Sequence, residues 1–185
     1  GIEEFQQLVN DTLSKSGNIA RVTKLADELT RQTSTKIDQA RVAFVSELSP
    51  KLTVIAENDH YYQSVAVTEA HDEKQVHKLV ANIIEAVKSI GEPATAKEIA
   101  DKAGQKDAKQ TEALASTSKS LATLNGKWGL IKWPTVNPKN IRDKIYVILQ
   151  QNGKQMHFNE IAAAIKKSDF KRKDVTTQAI HNELI

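Results

Sequence analysis

Apolar residues along this chain fall mostly at spacings of three and four, except in a few short stretches where β-branched and aromatic residues cluster. The first spacing marks amphipathic helices and the clusters mark strands. Phe5, Leu8, Val9 and Leu13 make one helical stripe, and Gly17 stands where that helix must stop. A second helix is predicted over 20–30, and RQTSTK forms a turn. The third, over 36–48, packs Ile37, Ala40, Phe44, Val45 and Leu48 inward. Ser49-Pro50 ends the helical pattern. KLTVIA and YYQSVAV then flank the turn-prone Glu57, Asn58, Asp59 and His60, which predicts a β-hairpin.

The same order returns downstream. A long helix over 69–90 keeps Val76, Leu79, Val80, Ile83, Val87 and Ile90 on one stripe and closes at Gly91. Thr95 with Glu98 three residues on is a capping-box pattern that starts a helix over 97–103. A further helix is predicted over 111–124, with Leu114, Ser118, Leu121 and Leu124 inward. Asn125-Gly126 before KWGLIKW signals a second hairpin. Pro134 and Pro138 mark a linker, after which Ile141, Ile145, Ile148 and Leu149 stripe another helix. A helix over 158–167 carries Ile161, Ala162 and Ile165, and a last one begins at the N-cap candidate Asp174 with Val175, Ala179, Ile180 and Leu184 inward.

These stretches are copies of one plan. Setting Gly153 under Gly91, an offset of 62, aligns Ile83 with Ile145, Val87 with Leu149, Glu98 with Glu160, Ile99 with Ile161 and Ala100 with Ala162. A weaker copy appears at an offset of 74, with Gly17 under Gly91, Val9 under Ile83, Leu13 under Val87, Leu25 under Ile99 and Ala26 under Ala100. The predicted fold is mainly α with small β-hairpins (α+β), built as tandem winged-helix, or helix-turn-helix, repeats. Its units are 1–68, 69–133 and 134–185, the last a linker and helix-turn-helix without its wing. The chain stops where that wing is due and opens on Gly rather than Met, so a longer natural protein is expected.

Net charge is only +3, but it is unevenly spread. Residues 1–78 hold 9 basic and 12 acidic side chains, 79–133 hold 8 and 6, and 134–185 hold 9 and 5. A basic C-terminal third suits a polyanion; solubilising lysines are the alternative reading. Within it, Lys166, Lys167, Lys171, Arg172 and Lys173 crowd the approach to the last helix, where they would hold phosphates. Thr176, Thr177, Gln178, His181 and Asn182 form that helix's outer face, with donors and acceptors suited to reading a groove. The middle unit offers Ser116, Thr117, Lys119 and Ser120, with Lys127 and Lys132 in its hairpin; the acidic first unit offers Lys36, Gln39 and Arg41. Trp128 and Trp133 are read as covering the edge of a small core rather than stacking on bases.

Residues 140–185 resemble the HARE-type helix-turn-helix, through Met156-His157-Phe158, Glu160-Ile161-Ala162 and the closing Gln178-Ala179-Ile180-His181-Asn182-Glu183-Leu184. That winged-helix family occurs in bacterial transcription proteins such as the RNA polymerase delta subunit and sigma-factor C-terminal regions. The resemblance implies a transcription-associated protein that binds double-stranded DNA or docks on the transcription machinery.

Nothing in the chain spells a catalytic motif: GxGxxG, GxxxxGK[ST], HExxH and GxSxG are all missing. No enzyme activity, cofactor, metal or small-molecule substrate is expected. His71 and His77 are read as six apart on one helix and off a common face, and Glu98 and Glu160 as first-turn residues of their helices. Without Cys there are no disulfides, and without a long apolar run or signal pattern the chain is expected in the cytoplasm. The expected partner is duplex DNA, gripped most strongly by the C-terminal unit. The competing expectation is a module that docks on RNA polymerase or another transcription component.

Overall fold

Local signals place four of the eight helices among the described residues. Asp38, Asp72, Thr95 and Asp107 each accept a hydrogen bond from a backbone N–H two or three residues on, satisfying groups that a helix start leaves unpaired. Gly91 and Gly104, both at positive φ, end helices in the left-handed conformation that costs glycine least. The computed structural model describes residues 1–152 and 158–167. Over these the order is α1 (Ile2–Lys15), β1 (Ile19–Arg21), α2 (Val22–Thr33), α3 (Gln39–Glu47), β2 (Leu52–Ile55) and β3 (Ser64–Val67). Then come α4 (Glu73–Ile90), α5 (Ala96–Ala103), α6 (Ala108–Ser116), β4 (Leu121–Leu124), β5 (Lys127–Leu130), α7 (Ile141–Asn152) and α8 (Phe158–Lys167). The class is α+β, helices with small antiparallel sheets.

The first sheet has the order β1-β3-β2, with Ile19 opposite Ala66 and Val54 opposite Val65. The second pairs β4 with β5 across Asn125 and Gly126, whose φ of 52° and 80° make the left-handed two-residue turn that tight hairpins favour. Ala94 exchanges both backbone hydrogen bonds with Trp128, at 3.0 and 2.7 Å, so it stands beside β5 as β1 stands beside β3. Ala94 is Ala20 plus the offset of 74. The aligned pairs Val9 and Ile83, Leu13 and Val87, Leu25 and Ile99, Ala26 and Ala100 are buried in both copies. At the offset of 62, Ile145, Ile161 and Ala162 are buried as their counterparts are, with Leu149 packed beside them.

One core runs under both halves. Ile19, Ile55 and Ala66 from the first sheet join Val76, Val80, Ile83, Val87, Leu114, Leu121 and Trp128 in a single cluster. A second cluster, around Val9, Leu13, Leu25, Leu29, Val42 and Val65, lies within the first copy. Each fully buried aliphatic side chain contributes roughly 1.5–3 kcal/mol of transfer free energy.

Four sequence expectations change. The helix predicted over 111–124 ends at Ser116. The Ser116 and Thr117 hydroxyls donate to the Ala113 and Leu114 carbonyls, each at 2.7 Å, and the chain then turns into β4. Leu121 packs into the central core while Leu124 meets Val136 and Val147, so their spacing of three served two sides of a strand rather than one face of a helix. Around α3 the predicted inner face holds at Ile37 and Val45, but Ala40, Phe44 and the C-cap Leu48 are exposed, and Val42 and Ser46 are buried in their place. α4 begins at Glu73, so His71 precedes the helix that carries His77. The segment read as a linker is packed, with Val136 buried against Leu124 and Val147. Trp128 is buried and Trp133 half-buried, as core-covering residues.

Candidate nucleic-acid interface

The outer side of α6, where the middle unit was expected to face a groove, is turned against the first copy. Gly17, at φ +91°, lies on it so closely that a Cβ there would stand 2.7 Å from Ala113 Cβ and 2.9 Å from the Lys109 carbonyl oxygen. Beyond α6, residues 117–120 are stitched to the loop between β2 and β3. Tyr62 N–H donates to the Thr117 carbonyl at 2.9 Å, and Lys119 N–H to the His60 carbonyl at 2.8 Å. The Asn58 side chain holds that loop by accepting from the His60 and Tyr61 N–H groups at 2.8 and 2.9 Å.

The predicted contact residues therefore separate. Ser116 and Thr117 are buried, with their hydroxyls donated back to their own helix. Lys119 is half-buried, its ammonium 3.8 Å from Glu57 and 5.4 Å from the centre of the Tyr62 ring. Arg21 covers the same ring at 4.2 Å, so two cations share one tyrosine at the seam. Lys127 and Lys132 are exposed on and after β5. In the first copy Lys36, Gln39 and Arg41 are exposed, Arg41 with its guanidinium 4.7 Å from the Phe5 ring centre. Lys166 and Lys167 close α8, and only their backbone is described. Lys171, Arg172, Lys173, Thr176, Thr177, Gln178, His181 and Asn182 lie outside the described residues, as does the helix predicted from Asp174.

Sequence spacing missed the outward face of α3. Phe44 is 63% and Leu48 53% exposed, values that a core position does not reach. Glu47 is exposed beside them. The run VAFVSEL puts apolar residues on both sides of a helix, so no single inner face could be read from it.

Burial lowers the pKa of Lys24, with Arg21 adding to the effect and Glu112 opposing it. Burial also lowers His71, against the pull of Asp72, and raises Tyr61, whose ring stacks on His77 at 4.2 Å. Among the described residues no group of three His, Cys, Asp or Glu side chains is placed to hold a metal ion, and no helix is long and apolar enough to cross a membrane. No family model, curated protein or solved structure matches the chain.

Proposed function

We propose that the chain is a transcription-associated protein of tandem winged-helix units, in which the C-terminal unit binds double-stranded DNA and the first two form a fused scaffold. The observation that carries the architecture is the repeated order of helix, extended segment, two helices and hairpin, with the extended segment beside the last strand in both copies. The resemblance of 140–185 to the HARE-type helix-turn-helix supplies the link to transcription. Lys171, Arg172 and Lys173 are the assigned phosphate contacts, assisted by the exposed Lys127 and Lys132. α6 takes no part, because its outer side faces the first copy. The test is a duplex-binding titration of the full chain at several salt concentrations. Affinity falling steeply with salt, and weakened when Lys171, Arg172 and Lys173 are all replaced by Ala, supports this reading; affinity that ignores salt defeats it.

A second reading holds for the first unit, favoured by Phe44 and Leu48. In this unit the third helix and its C-cap offer solvent an apolar pair beside the exposed Gln39 and Arg41. Exposed aromatic and aliphatic residues are the anchors of protein interfaces, whereas groove readers need hydrogen-bonding groups. The occupant is an apolar segment of RNA polymerase or another transcription component. Capture of polymerase by the wild-type chain but not by the Phe44→Ala/Leu48→Ala variant supports it, and equal capture by both sinks it.

A further inference from the structure

Between the two copies lies an open cleft of about 540 Å³, a volume typical of small-molecule sites. Ile19, Leu25, Ala113 and Trp128 are its apolar surfaces, contributed by β1, α2, α6 and β5. Its polar side chains are of two kinds. The hydroxyls are spent: Thr12 donates to the Leu8 carbonyl, Ser16 to that of Thr12, Ser116 to that of Ala113 and Thr123 to that of Lys127, at 2.7 to 3.1 Å. Gln32 donates to Glu28, and Glu28 also accepts from Arg31. Lys15, Lys24 and Lys109 remain, and none of these ammonium groups has an ion pair within 4.0 Å among the described residues. Glu112 is the carboxylate that offsets them without being tied to another side chain among the described residues.

A molecule entering this cleft finds apolar contact for its body, and its polar end meets cationic donors. We propose that the cleft is a binding site for a small amphipathic anion, an aromatic or acyl group bearing a carboxylate, sulfonate or phosphate, held by Lys24 with Lys15 and Lys109. Such a ligand touches both copies at once and so ties their arrangement together. Lys15, Lys24 and Lys109 are exposed along the rim of the cleft, and the partial burial that lowers the Lys24 pKa leaves its ammonium open to an anionic partner. The proposal stands apart from DNA binding, which is assigned to other residues.

The test uses the full chain and the fluorescent anion 8-anilinonaphthalene-1-sulfonate. The expected result is saturable binding to one site, with energy transfer from tryptophan that persists in a Trp133→Phe variant, leaving Trp128 as donor. Lys24→Met keeps the aliphatic stem and removes the charge, and is expected to weaken binding tenfold or more. Thr123→Trp fills the mouth from an exposed position and is expected to abolish it. Lys74→Met, on the exposed side of α4, is the control and leaves affinity unchanged. Non-saturating binding, equal affinity in Lys24→Met, or equally tight binding of uncharged N-phenyl-1-naphthylamine would overturn the proposal.

Discussion

Gly17 rests directly on Ala113, backbone against helix, with no space for a side chain between them. This contact joins the end of α1 to the outer side of α6 and fuses the two copies where a freestanding second unit would keep its third helix free. Replacing Gly17 by Ala forces a left-handed conformation on a residue with a Cβ, at roughly 1–2 kcal/mol, and adds overpacking of about 1–3 kcal/mol. Gly126→Ala meets the conformational cost alone, because nothing lies within 4 Å of its Cβ position. Urea denaturation is expected to rank Gly17→Ala clearly below Gly126→Ala; equal losses would mean that the Ala113 contact yields freely.

α3 offers a second comparison. Phe44 and Leu48 are exposed, so Ala at both positions is expected to change folding stability by no more than about 0.5 kcal/mol each. Val42 is fully buried, and Val42→Ala should cost about 1–3 kcal/mol. Thermal unfolding of the two variants measures this directly. Loss of stability at Phe44 instead would return that residue to the core.

His71 makes stability depend on pH. It is buried, neither ring nitrogen has a hydrogen-bond partner among the described residues, and burial lowers its pKa below the ordinary value of 6.5. In the unfolded chain the ring takes up its proton at the ordinary value, so below it the unfolded state binds more protons than the folded one. Stability is therefore full above that value and is lost progressively as pH falls from it to the lowered folded-state pKa. Urea midpoints at pH 7.5 and pH 5.5 should differ less in His71→Phe than in the wild type. An undiminished difference would assign the pH dependence to other groups.

Lys127 and Lys132 separate two kinds of electrostatic contribution. If both contact phosphates, replacing both by Ala lowers the slope of log affinity against log salt by about 2, roughly one per contact. Lys119→Ala is expected to leave the slope unchanged, since its ammonium is placed between Glu57 and Tyr62. Binding isotherms at three or more salt concentrations distinguish them. A loss at Lys119 equal to that of the hairpin pair would require the seam to open on DNA.

What the sequence determined by itself was whatever rests on neighbours within a few residues. Thr95 before Glu98 starts a helix, Gly91 stops one and Asn125-Gly126 turns a hairpin, because caps and turns are hydrogen bonds and φ angles confined to the residues involved. The apolar positions that align at offsets of 62 and 74 were legible too, since most of them are buried. Contacts between distant residues decided the rest. VAFVSEL offers two apolar sides, and Val42 and Val45 face inward because Leu29, Leu52 and Val65 lie on that side. Leu121 and Leu124 kept a helical spacing, yet two separate cores claim them from opposite faces of a strand. Periodicity reports that a residue seeks burial, but only the neighbours that folding brings up from far along the chain settle which side is buried. For that reason the packing of Gly17 on α6 and the cleft beside it had no signal in the sequence.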